Sequence, residues 1–186
     1  MRIISGLARG TKLYTLEGEN TRPTLDRVKE PLFSIIQTYI KDANVLDLFS
    51  GSGALGLEAL SRGANKAILC DKSYKAIEII KKNINKTHFE EKTKVLCMDY
   101  KKCLSSLNEK FDLIFIDPPY KYDIAVNSVE IILENNLLSQ DGIIVIETDE
   151  EEREIQKIKN LSNIEIINLR TYGRVKLIFL KIKERG

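Results

Sequence analysis

Five short apolar runs alternate with stretches of helical periodicity through the middle of the chain, and that alternation restricts the fold more than any other feature. The runs are 44–49 (NVLDLF), 67–71 (AILCD), 93–98 (TKVLCM), 112–116 (DLIFI) and 143–147 (IIVIE). Helical spacing fills the intervals 54–62, 74–85, 100–107, 125–134 and 150–159. Strands that are apolar on both sides, each followed by a helix, imply a parallel sheet buried on both faces. Two further strands are expected at 164–170 and 176–182, joined by a short connection containing Gly173. A connection that short permits a hairpin only, so the last strand should run antiparallel to its neighbour. The expected fold is therefore α/β, with a seven-stranded, mostly parallel sheet. At 186 residues the chain suits one domain that buries about 70% of its unfolded surface.

The first 41 residues follow a different pattern. Residues 2–5 and 12–16 are rich in strand formers and are separated by Gly6 and Gly10, which reads as a β-hairpin. After the break at Thr21-Arg22-Pro23-Thr24, Leu25, Val28, Leu32, Ile35, Ile36 and Tyr39 recur at helical spacing. Pro31 falls inside that helix and is expected to kink or restart it. The organisation is thus an extension at 1–41 and a core domain at 42–186.

Charge separates these parts further. The net charge of +2 excludes a histone-like or strongly acidic chain. Along the chain, however, residues 147–154 hold six acidic groups against one basic, and the part from Asn168 onward holds six basic against one acidic. The ten lysines between Lys72 and Lys110 read as solvated helix faces. Four of the nine arginines lie within the first 27 residues. Arg2, Arg9, Lys12, Arg22 and Arg27 therefore mark the extension as a candidate nucleic-acid arm, because the arginine fork suits phosphates and base edges.

Three cysteines without a CxxC pair give neither a disulfide framework nor a zinc site. Cys70 and Cys97 are expected to fill the core, and the single His88 to sit on the surface. No metal is expected. The start of the chain lacks a leader-like apolar segment, and no run of about 18 apolar residues occurs, so a cytoplasmic, membrane-free protein is expected.

Gly51-Ser52-Gly53-Ala54-Leu55-Gly56 follows the first parallel strand and opens a helix. These glycines match a dinucleotide fingerprint, but Asp47 stands at the strand end just before them. A carboxylate repels a pyrophosphate and attracts an ammonium group. The amino acid part of S-adenosylmethionine (SAM) carries an ammonium and a sulfonium, so Asp47 favours SAM over a nicotinamide dinucleotide. Asp71 at the end of the second strand is placed to accept ribose hydroxyls, and Asp99 after the third to accept an adenine amino group. Phe49 and Met98 complete the expected cofactor set with Gly51 and Gly53.

Asp117-Pro118-Pro119-Tyr120 follows the fourth strand, where ligands bind in open parallel sheets. The two prolines stiffen the loop and leave carbonyls free as acceptors. Acceptors at the Asp117 carboxylate and the Pro118 carbonyl, beside the Tyr120 ring, suit an exocyclic amino group of a flipped or unpaired base. Their expected role is to orient that weakly nucleophilic nitrogen for in-line methyl transfer, without a histidine base.

The sequence resembles the bacterial 16S rRNA guanine-N2 methyltransferases that act on guanine 966 of the small subunit. The resemblance rests on Arg2-Ile3-Ile4-Ser5-Gly6 with Arg9-Gly10, on Thr21-Arg22-Pro23-Thr24 with Asp26-Arg27-Val28-Lys29-Glu30, and on the long block from Asp47 to Ala64. Asp117-Pro118-Pro119-Tyr120 and Tyr172-Gly173 extend it over nearly the whole chain. It implies a Rossmann-like class I SAM methyltransferase whose partner is 16S rRNA in the small subunit or its assembly intermediate; separately, nothing in the sequence suggests an obligate dimer, so a monomer is expected. It also implies that the N-terminal extension helps to hold the RNA. Asp117 to Tyr120 would form the catalytic loop, and Asp47, Gly51, Gly53 and Asp71 would belong to the cofactor site. The pocket residues alone accommodate either guanine or adenine, so an adenine-N6 methyltransferase of DNA or RNA is the alternative. A nicotinamide-dependent dehydrogenase fits less well because it requires another catalytic centre, for which the lone His88 is badly placed, and a non-catalytic RNA-binding module would keep the arm without needing Asp47 and the Asp-Pro-Pro-Tyr loop together.

Overall fold

The computed structural model describes residues 1–16, 23–119, 123–149 and 151–183, with the side chains of 23–27 and 151 left aside. Among these residues seven strands form one sheet: β1 Asn44–Asp47, β2 Lys66–Asp71, β3 Thr93–Cys97, β4 Phe111–Ile116, β5 Leu138–Thr148, β6 Ile164–Tyr172 and β7 Val175–Ile182. Their order is β3-β2-β1-β4-β5-β7-β6. The first five are parallel, and β7 lies between β5 and β6, antiparallel to both. The order reverses between β1 and β4, the switch point where open α/β sheets bind ligands.

Among the described residues six α-helices accompany the sheet: α1 Pro23–Ile35, α2 Ala54–Ser61, α3 Tyr74–Thr87, α4 Tyr100–Ser106, α5 Ile124–Glu134 and α6 Glu151–Lys159. The core divides into two layers. One face of the sheet packs α1, α2 and α3 through Phe33, Leu57 and Ile80, and the other packs α4, α5 and α6 through Leu104, Val129 and Ile158. Ser73 caps α3 by accepting from the Ala76 amide, and its buried residues Ala76, Ile77, Ile80, Asn83, Ile84 and Thr87 repeat at three and four. Asn83, fully buried, and Thr87 are the polar residues on that stripe.

Residues 2–5 and 11–13 pair as a minimal hairpin: one antiparallel bridge joins Arg2 to Lys12, flanked by hydrogen bonds from Ile3 to Thr11 and from Leu13 to Met1. Ile3 and Leu13 point inward and join the same apolar cluster as α1 and α2. The helix α1 continues through Pro31, so it does not restart there. Its packed face explains the tolerance: Val28, Leu32 and Phe33 are buried around the proline, and this burial offsets one lost helical hydrogen bond.

One expectation fails. Cys97 is exposed, because β3 is one of the two edge strands and its residues are covered incompletely. Cys70 and Cys103 are buried together; their mutual hydrogen bond and then burial push the Cys70 thiol above its usual range, which keeps it protonated and inert. His88 is exposed and ends α3 in a left-handed conformation.

Candidate active site

Strand register sets the positions of three carboxylates. Asp47, the last residue of β1, pairs with Leu69 on β2 and with Phe115 on β4. Asp71 and Asp117 each lie two residues beyond those partners. A two-residue step keeps the same side of the pleat and advances roughly 7 Å, so Asp71 and Asp117 flank Asp47 at the carboxyl edge of the sheet. All three line one cavity of about 730 Å³, within the ~300–1,000 Å³ typical of small-molecule sites.

Asp47 is 2% exposed, and its Oδ2 accepts from the Gly56 amide at 3.1 Å. Burial pushes its carboxyl up to about 7; the Gly56 bond opposes this, and neighbouring Asp71 adds to it. Asp71 holds the loop instead. Its Oδ2 accepts from the Gly51 amide at 3.0 Å and its Oδ1 from the Ser73 amide at 2.8 Å. Gly53, at φ 80°, lets the chain turn left-handed into the first turn of α2. Phe49 and Tyr100 pack ring against ring, with centroids 5.5 Å apart, on the wall that also carries Met98. Asp99 lines the cavity but is exposed and caps α4, accepting from the Lys101 amide at 2.9 Å. Asp117 and Pro118 line the cavity half-buried, and Pro119 lines it exposed. Tyr120 and Arg22 lie outside the described residues, as does the side chain of Arg27.

The residues fit SAM. A buried carboxyl held near neutrality is stabilised in its charged form by a cation, which SAM provides, and is destabilised further by a pyrophosphate. Asp47 would face the ammonium, and Asp71 with the Gly51–Gly53 turn would hold the remainder of the amino acid and ribose.

Sequence reasoning missed the N-terminal segment as a wall of this cavity. Met1, Thr15, Leu16 and Lys29 line it, as does Glu147 of β5. The segment is held by Glu58, which is fully buried on α2. Its Oε2 accepts from the Ile4 amide at 2.8 Å and pairs with Lys29 at 3.3 Å; its Oε1 accepts from the Ser5 amide at 3.0 Å and from Arg62 at 2.8 Å. The signal was present: Glu58 is the only charged residue in the α2 sequence ALGLEALS. Arg2, Arg9 and Lys12 are exposed, and the bridged Arg2 and Lys12 lie on the opposite side from the buried Ile3 and Leu13. Within the stretch 147–154, Arg153, with Lys157 one turn on, reaches Asp123 at 2.9 and 2.5 Å, which fastens α6 to the start of α5 beyond the Asp117 loop.

A seven-stranded sheet of this order, with a cation-seeking carboxylate at its switch point and an Asp-Pro-Pro loop beside it, defines a class I SAM-dependent methyltransferase. Comparison with known proteins narrows the class. The chain belongs to the family described as conserved hypothetical protein 95, whose model matches residues 1–181. YlbH of Bacillus subtilis is 38% identical over 176 residues, covering 93% of this chain and 94% of that protein. Ribosomal RNA small subunit methyltransferase D of Haemophilus influenzae is 38% identical over 155 residues, covering 81% of this chain and 80% of its own length. Among solved structures, yhhF from Escherichia coli superposes with a TM-score of 0.84 at 28% identity, covering 100% of this chain and 99% of that one.

Proposed function

We propose that the protein transfers a methyl group from SAM to the exocyclic N2 amine of a guanine in 16S rRNA, guanine 966 of the small subunit. The observation that carries this reading is the register that sets the Asp117-Pro118 acceptors beside the Asp47 carboxylate in one cavity. Relatives that bear the name of a small-subunit rRNA methyltransferase support the choice of RNA. When bound, SAM supplies an electrophilic methyl on its sulfonium. The Asp117 carboxylate and the Pro118 carbonyl accept hydrogen bonds from the two amine protons, which orients the nitrogen lone pair and raises its electron density. Tyr120 stacks on the base. Residues 1–41 serve as the RNA-facing extension of a methyltransferase domain at 42–186, with Arg2, Arg9, Lys12, Arg22 and Arg27 on the phosphates. The protein acts as a cytoplasmic monomer on the small subunit or its assembly intermediate.

Incubation with labelled SAM and small subunits from an unmethylated strain tests this, followed by nucleoside analysis of the RNA. Label in N2-methylguanosine is expected. Label in N6-methyladenosine would transfer the assignment to the adenine chemistry that the same loop accommodates.

A further inference from the structure

The outward face of the N-terminal hairpin carries more than charge. Arg2 and Lys12 stand opposite each other in the antiparallel bridge, and Tyr14, two residues beyond Lys12, shares their side. Ile3 and Leu13 occupy the other side and are buried, which fixes the direction of the exposed three. Tyr14 leaves 50% of its surface in water. Its position is nonetheless tightly held. The Tyr14 amide donates to Asn83 Oδ1 at 2.8 Å, and Asn83 Nδ2 donates to the Tyr14 carbonyl at 3.0 Å. The same Nδ2 donates to the carbonyl of Ser52, in the glycine loop, at 2.8 Å. Lys86, three residues further along α3, sets its Nζ 4.5 Å from the centre of the Tyr14 ring. Thr15 and Leu16, the next two residues, line the cavity.

A half-exposed ring with both backbone groups anchored loses little entropy on contact with a ligand. Rings of this kind, set among cations, bind unpaired bases by stacking while the cations take the neighbouring phosphates. We infer that Tyr14 is a stacking platform for an unpaired base of the substrate RNA close to the methylated nucleotide, with Lys12 and Lys86 on the adjoining phosphates. This places a lysine of α3 in the RNA face, away from the solvated set to which its sequence context assigned it. The inference rests on the RNA reading above, and its test separates the two.

The chain contains no tryptophan, so Tyr14→Trp introduces a single indole. Titration with a small-subunit rRNA fragment containing the target loop should quench that emission strongly. Tyr14→Ala should weaken binding of the fragment about tenfold, as expected for loss of one stacked base, and raise KM for RNA more than it lowers kcat. Tyr14→Phe should restore affinity to within about twofold of the wild type, because stacking needs the ring and not the hydroxyl. Lys86→Ala should lower the salt dependence of binding by about one phosphate contact. Filter retention of the wild-type protein on the same fragment distinguishes the failures. If the wild type retains the RNA while the indole stays bright and Tyr14→Ala binds equally well, the stacking platform is refuted and the RNA reading stands. If the wild type neither retains nor methylates the RNA, the RNA reading falls and the platform with it.

Discussion

Replacing Asp47 by asparagine should strengthen the fold while it disables the site, and the two effects share one cause. The Asp47 carboxyl is held near 7 against an ordinary value of 3.8, and the side chain is buried. Below about pH 4 the folded and unfolded chains both keep this proton, so the residue is neutral in its effect on stability. Between about 4 and 7 the unfolded chain ionises and the folded one does not, so stability falls as pH rises. Above 7 both are ionised, and the accumulated cost is about 4 kcal/mol as an upper bound, at 1.36 kcal/mol per pKa unit. Asparagine has no proton to lose, and its carbonyl oxygen can still accept from the Gly56 amide. Urea unfolding without SAM should therefore give Asp47→Asn a higher midpoint at pH 8 than the wild type, with the gain shrinking to about 1 kcal/mol at pH 4.5 and vanishing only below about pH 4. SAM affinity should drop on the order of 100-fold or more, since an ammonium would lose its buried counter-charge. For the wild type, SAM binding should strengthen as pH rises towards 7 and flatten above it, with proton release at pH 6 visible by calorimetry in buffers of different ionisation enthalpy. An Asp47→Asn protein that is less stable at pH 8, or equally stabilised at pH 4.5 and 8, would refute the reasoning.

Other perturbations probe the remaining parts. Glu58→Ala leaves Lys29 and two backbone amides without their carboxylate, and should cost about 3–5 kcal/mol in thermal or urea unfolding. Glu58→Gln should cost less, and faster hydrogen exchange at the Ile4 and Ser5 amides should report release of the segment in both. Gly6→Ala puts a Cβ 1.7 Å from the Ser61 carbonyl oxygen at φ +85°, so the hairpin turn must lift from α2; a loss of about 1–3 kcal/mol is expected, and an unchanged melting midpoint would contradict the contact. Asp117→Asn should abolish methyl transfer in a single-turnover assay while calorimetric SAM affinity stays within a few-fold. Arg2→Ala combined with Lys12→Ala should reduce the salt slope of RNA binding by about two.

The parallel strands were legible because continuous apolar runs have few other uses in a soluble domain. Asp47 and Asp71 at the ends of their strands and Asp117 one residue past its own carried the site, and register turned them into neighbours. What was illegible depended on contacts remote in sequence. The β5 strand begins at Leu138, ahead of the apolar run that marked it, because Leu138 pairs with Phe111 across a bulge before the polar stretch Ser139-Gln140-Asp141. Cys97 has the neighbours of a core residue, yet only sheet order reveals that its strand lies at the edge. The role of Glu58 required knowledge that two amides from the start of the chain would reach it across 53 and 54 residues.

Asn83 has a bearing on how such proteins can be recombined. One amide side chain reads both backbone groups of Tyr14 and the carbonyl of Ser52, so residues 14, 52 and 83 form a matched set. Aspartate at 83 would lose both donations, and glutamine would overshoot by a methylene. A hybrid that carries the N-terminal segment of another relative must import compatible residues at 58 and 83 as well. A working hybrid should therefore exchange the segment together with helices α2 and α3, as one unit larger than the segment itself.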